Sequence, residues 1–171
     1  LSLGWCTVSI RTPQAADTPT LVELIRELAA FEQLSHLVQV TPESLAHHLF
    51  GPRPAAQCVV VEQGTDIVAF ALFFHNFSTF LGQPGLYLED LYVRPAHRGQ
   101  GIGRSLLVHL AGLARDRGCG RFEWSVLDWN ANAIAFYEKL GATVMPEWRI
   151  CRITAAGLDA LACSADAPRS A

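Results

Sequence analysis

Apolar residues recur at helical spacing over Pro19–Gln33, where Leu21, Leu24, Ile25, Leu28 and Phe31 mark one face. Ahead of it, Thr7–Arg11 alternates weakly and stops at Pro13, the pattern of a short strand. Thr41 has the chemistry of a helix cap and Pro42 suits the first helical position, so a helix is predicted over Pro42–Leu49. Two apolar runs follow, Gln57–Glu62 and Ile67–Phe74, separated by Gly64-Thr65-Asp66, which predicts a hairpin. A third run, Leu86–Val93, ends at Pro95. The period then changes: Leu106, Leu107, Leu110, Leu113 and Ala114 share a face of a helix predicted over Gly103–Arg117. Arg121–Leu127 alternates again. A helix is expected over Ala131–Leu140 with Gly141 as its C-terminal cap, then a last strand over Trp148–Ile153 and a short helix over Ala155–Ala162. The order β, α, α, β, β, β, α, β, α, β, α predicts an α/β fold: one domain with a mixed sheet and flanking helices. The sheet is antiparallel through its first strands, and the strand–helix–strand crossover of the second half makes it parallel there.

Composition narrows the function classes. The chain has 171 residues, half of them apolar and 17% charged, enough for one domain with a sizeable core. A net charge of −3 gives no support for a nucleic-acid or anionic-membrane surface. The five cysteines are scattered and form no CxxC pair, which suits reduced thiols. With no 18-residue apolar run and no signal-peptide pattern at the start, the expected location is the cytoplasm. The segment 162–171 is small and polar and is expected to be a flexible tail. His47-His48 matches no recognisable ligand spacing, so no metal is expected.

Two stretches carry candidate chemistry. Arg98-Gly99-Gln100-Gly101-Ile102-Gly103 follows the strand LYLEDLYV and opens an apolar-periodic helix. Closely spaced glycines let successive backbone N–H groups face one spot, and a helix start adds unsatisfied donors and positive potential. Together these suit a phosphate, although the spacing is neither a P-loop nor GxGxxG, and a ligand-free strand-to-helix turn would use the same residues. The second stretch is Trp129–Ala142. There Ala133, Phe136 and Leu140 form a stripe with Tyr137 at its edge, and Asn130 stands where a helix cap is needed. Position alone leaves Tyr137 as either a boundary aromatic or a group in a cleft.

With both stretches present, the chain resembles the GCN5-related N-acetyltransferase superfamily, on LYLEDLYVRPAHRGQGIGRSLL and WSVLDWNANAIAFYEKLGA. Within it the chain is similar to the diamine acetyltransferase group, which includes spermidine/spermine and thialysine N-acetyltransferases. LIRELAAFE, FALFFHNF and WRICRI add to that likeness, which spans residues 7–161. The resemblance implies a sheet whose central parallel strands splay apart, at Leu86–Val93 and Arg121–Leu127. It implies acetyl-coenzyme A as co-substrate. Its pyrophosphate would lie on Arg98, Gly99, Gln100, Gly101, Ile102 and Gly103, with Arg104 adjacent, and its pantetheine arm along the backbone of Leu91 and Val93. Asn130 matches the family's asparagine before the following helix. Tyr137 matches the tyrosine that protonates the departing thiolate, and Glu89 with Asp90 matches the acidic pair.

The chemistry implied is direct attack of a deprotonated amine on the thioester. Glu89 is the candidate base, or else binds substrate without taking a proton. Simple alternation puts Glu89 on one face with Tyr87, Leu91 and Val93, and Asp90 on the other; an unpaired carboxylate among apolar neighbours would have its pKa raised. Backbone N–H groups beside the open strand would stabilise charge developing on the acetyl oxygen. Glu32, Glu89, Asp90 and Trp148 are the candidate substrate contacts. The stretch after the first helix, FEQLSHLVQV, is less acidic than in the polyamine-acetylating members, so a shorter diamine or a lysine- or thialysine-like amine is as well matched as spermidine. A peptide or protein amine is the alternative within the superfamily, and a non-catalytic acyl-coenzyme A-binding module the alternative of another class. The group is dimeric, which implies a homodimer; the aromatic-rich Ile67–Leu81 and Met145–Ile153 stretches suit its interface, although one well-filled monomer core would use the same residues.

Overall fold

The structure, a computed structural model, describes residues 9–164. Thr7, Val8 and Cys6 fall outside them, as does most of the expected tail. The described chain divides after Ser125 into two compact units.

The first unit holds β1 (Ser9–Arg11), α1 (Thr18–Phe31), α2 (Pro42–Phe50), β2 (Gln57–Gln63), β3 (Asp66–Ser78), β4 (Gln83–Val93), α3 (Ile102–Asp116) and β5 (Arg121–Trp124). The five strands form one sheet in chain order, antiparallel from β1 to β4, with β5 added parallel to β4. The predicted caps act as expected at α2, where Thr41 Oγ1 accepts from the Ser44 N–H at 3.2 Å. Leu21, Val22, Leu24 and Leu28 of α1 and Leu45 of α2 bury one face of the sheet with Cys58, Val60, Phe70 and Tyr92. The alternate residues Val59, Val61, Ala71 and Phe73 are also buried, so the sheet is covered on both sides, and α3 packs against β3, β4 and β5 through Ile102, Leu106 and Leu110.

Two features of β4 depart from simple alternation. Leu72 of β3 pairs with Asp90 and Phe73 pairs with Leu88, leaving Glu89 as an extra residue in a β-bulge. The bulge resets the phase of the strand. Tyr87, opposite Phe74, and Asp90 and Tyr92, opposite Leu72 and Phe70, all point to the side that α1 covers. Leu91 and Val93 point to the other. The expected shared face of Tyr87, Glu89, Leu91 and Val93 is therefore broken at Glu89. Secondly, β5 pairs with β4 only from Gly85–Arg121 to Leu88–Trp124. Beyond Leu88, β4 runs on to Val93 with no parallel partner among the described residues.

The second unit contains α4 (Ala131–Lys139) and α5 (Ala155–Cys163). The strand expected over Trp148–Ile153 does not form: residues 140–154 lie outside helix and strand. A strand owes its stability to a paired neighbour, and this stretch has none among the described residues. Its apolar side chains stay in solvent, with Trp148 73%, Ile150 70% and Ile153 52% exposed.

Candidate active site

The site in the first unit is built where β4 outruns β5. Backbone groups of Leu91 and Val93 lie on the stretch without a parallel partner, which leaves hydrogen-bonding capacity along a strand edge. Directly after β4, a single 3₁₀ turn (Pro95–His97) reverses the chain, with His97 N–H donating to Arg94 O and Arg98 N–H to Pro95 O. Gly99 (φ +74°) and Gly101 (φ +82°) then take left-handed backbone, which a side chain at either position would strain. A Cβ at either glycine would meet no atom within 4 Å, so the turn faces open space. Gly101 is the N-cap of α3 and offers no side-chain oxygen, so no side chain caps the first N–H groups of that helix, and no acidic residue occupies its first turn. Ile102, Gly103 and Arg104 form that first turn. Gln100 turns back, its Nε2 donating to Ala96 O at 3.4 Å. Arg98 Nε donates to Val93 O at 2.8 Å, tying the turn to the end of β4.

Beside the same strand lie three carboxylates. Glu89, the bulged residue, is exposed; Asp90 and Glu32 are half-buried. Burial, reinforced by the negative charges of Glu89 and Glu32, pushes the Asp90 carboxyl up to about 6. Burial also raises Glu32. The desolvated carboxylate expected at Glu89 is thus found at Asp90, because the bulge turns Asp90 toward α1. Nothing in the alternation of LYLED signals that inversion; a bulge leaves no mark in a hydrophobic pattern. Glu32 is placed by the end of α1, where Leu34 N–H donates to Ala29 O and Gln33 N–H to Ala30 O, with Gln33 at φ +62°. Cys58 is buried beneath this region, and its thiol is pushed up to about 12 by burial and then by Asp90, so it stays protonated and is a poor nucleophile.

Tyr137, Asn130 and Trp148 belong to the second unit. Asn130 caps α4, its Oδ1 accepting from the Ala133 N–H at 3.2 Å. Tyr137 is half-buried on α4, 5.4 Å from the Phe136 ring between centroids. Trp148 stands in solvent outside any regular element.

A model of the acetyltransferase (GNAT) family matches residues 22–142, which takes in the open strand, the glycine turn and α4. The chain belongs to the GNAT acetyltransferase family. Among relatives of this GNAT protein, the L-ornithine N5-acetyltransferase of Arabidopsis thaliana is 34% identical over 89% of this chain and 86% of its own length. The thialysine N-epsilon-acetyltransferase of Mus musculus is 40% identical over 81% and 85%. An integron cassette protein from the mobile metagenome of V. cholerae matches in structure with a TM-score of 0.76, at 26% identity over 91% of this chain and 98% of the other. As a GNAT enzyme the protein is an acetyl-coenzyme A-dependent N-acetyltransferase. The uncapped start of α3 and the open left-handed turn before it fit a pyrophosphate.

Proposed function

We propose that this enzyme acetylates a primary amine of a small molecule that carries a second polar or charged group, of the diamine, ornithine, lysine or thialysine type. The observation that carries the reading is the group of three carboxylates, Glu32, Glu89 and Asp90, close enough for the first two to raise the third. A dication loses much of its water on entering a site, and paired carboxylates replace that hydration. The relatives named for L-ornithine and thialysine support the same class.

Acetyl-coenzyme A supplies the acetyl group as an activated thioester. Arg98–Arg104 would hold its phosphates, and the open edge at Leu91 and Val93 its pantetheine arm. Asp90, with a pKa near 6, is a carboxylate at neutral pH yet basic enough to take a proton from an ammonium, directly or through water, with Glu89 holding the amine at the mouth. Tyr137 is the proposed proton donor to the departing thiolate, on its place in the FYEKLG motif, and Asn130 keeps the start of that helix in order through its cap. Trp148 is proposed as a substrate contact only on its likeness to an aromatic of the family's last strand region. Most of the rate gain comes from holding amine and thioester in line.

We further propose that the enzyme is a homodimer and works in the cytoplasm. Support for the pair comes from apolar side chains left in solvent: Phe77, Phe80 and Leu81 at the β3–β4 hairpin, and Met145, Trp148, Ile150 and Ile153 in the second unit. The scattered cysteines suit a reducing compartment. No helix of the described residues is long and apolar enough to cross a membrane.

The substrate reading is tested by kcat/KM for a panel of diamines, matched monoamines, ornithine, lysine and N-terminal peptides. Diamines or basic amino acids should exceed the matched monoamines. A preference for peptides over every small amine would replace the reading with the peptide alternative.

A further inference from the structure

Glu23, Glu27 and Phe31 are spaced four residues apart and therefore share one face of α1. Glu23 and Glu27 hold the Arg94 guanidinium, with Nη2 at 3.7 and 3.1 Å, and Arg94 Nε donates to Glu27 Oε1 at 3.1 Å. One turn further along, the Phe31 ring lies 5.1 Å from the guanidinium carbon of Arg98. Tyr92, buried near the end of β4, presents its ring to the same guanidinium at 5.4 Å, and its hydroxyl also meets Arg98 and Glu27. With its Nε bonded to the Val93 carbonyl, Arg98 is held by α1, by a β4 side chain and by the β4 backbone at once.

Arg98 is also the first residue of the glycine turn. Hydrogen bonds of His97 with Gln63 and of Gln100 with the Ala96 carbonyl also brace this segment, but its two left-handed glycines carry no side chains to hold it, and a Cβ at either would meet nothing within 4 Å. Glycine leaves a backbone more conformations than other residues do, and a ligand that binds only one conformation has its affinity scaled down by the fraction of molecules in it. Restraint applied at Arg98 raises that fraction. Arginine suits the task, because its planar guanidinium stacks on rings while still donating from Nε, which a lysine ammonium cannot do.

We propose that Phe31 and Tyr92 are positioning residues for acetyl-coenzyme A: their rings clamp Arg98 and so hold the phosphate-binding turn in its competent shape against α1 and β4. The inference rests on the reading that this turn seats the cofactor, and it adds two aromatic residues that do not themselves line the turn.

The test is titration of folded variants with coenzyme A by calorimetry, alongside kcat at saturation with both substrates. Phe31→Ala should weaken coenzyme A binding about two- to fivefold, the scale of one partly exposed cation–π contact, with kcat at saturation retained. Phe31→Tyr, which keeps a ring, should bind like the parent; Tyr92→Leu, which loses both the ring and the hydroxyl that meets Arg98 and Glu27, should not. Phe31→Leu gives the same readout if the alanine variant does not fold. A purely structural role would lower the unfolding midpoint and leave the affinity of the folded protein unchanged. Parent-like affinity in Phe31→Ala (or Phe31→Leu) and Tyr92→Leu, with affinity lost in Gly101→Asp, would overturn the clamp. Parent-like affinity in Gly101→Asp would instead overturn the placement of the seat itself.

Discussion

Asp90 is the residue whose environment decides most. Its folded pKa of about 6 lies above its ordinary value of 3.8, so the folded state binds the proton more tightly between those limits. Stability is therefore lost as pH rises from about 4 through about 6, and the charged form at neutral pH is a burden on the fold. Asp90→Asn should be more stable than the parent by on the order of 2 kcal/mol at neutral pH, an advantage that fades toward about pH 4. Urea unfolding at the two pH values measures it. The same substitution should remove the acidic limb near pH 6 from the kcat/KM profile, while Glu89→Gln should raise the amine KM and keep a limb that moves to lower pH, because the Glu89 charge helps hold Asp90 up; a limb that survives in Asp90→Asn and vanishes in Glu89→Gln would return the base to Glu89. Tyr137→Phe should lower kcat about 100-fold with little change in cofactor affinity, the mark of a lost proton donor. The acidic pair and the tyrosine were legible as residue types in a motif. Which carboxylate is desolvated was not, because one bulged residue reverses the faces of β4 and leaves the sequence looking regular.

At the scale of elements, helix ends do the positioning. α1 closes with Gln33 in the left-handed region, where glycine is the usual residue. Gln33→Gly should raise stability by roughly 1 kcal/mol, a rise of about 2–4 °C in the thermal midpoint, and Gln33→Val should lower it. Strain kept beside Glu32 is consistent with a helix end held for its direction. At the start of α3, Gly101→Asp adds a side chain to left-handed backbone and a negative charge at a helix N-terminus meant for phosphate. Isothermal titration should show coenzyme A bound about tenfold more weakly or worse in the folded variant. Among the described residues, periodicity found the five α-helices and the five paired strands, with boundaries displaced by a few residues, but not the short 3₁₀ turns such as Pro95–His97. It also predicted a strand over Trp148–Ile153, where the composition is right and the neighbour is missing. Alternation reports that a segment suits a sheet; it carries no information on whether an edge is available to receive it.

For the whole molecule, that unpaired apolar stretch and the bare hairpin tip at Phe80, 97% exposed, are the surfaces a second copy would cover. Light scattering at micromolar concentration should give close to twice the chain mass of 18.7 kDa. Phe80→Asp with Trp148→Asp should shift the protein toward the single-chain mass, and a parent protein that stays at that mass while active would rule out an obligate pair. The chemistry proposed within each chain is transfer in one step, from the thioester to the amine, with Cys58 held protonated and buried. Mass spectrometry of both enzyme and amine after incubation with acetyl-coenzyme A tests this most directly. Incubated without amine, the enzyme should keep its unmodified mass; with ornithine or a short diamine, N-acetylated amine should appear in step with released coenzyme A. An acetylated enzyme that forms first and then decays as product appears, or thiol release with no acetylated amine, would contradict the account.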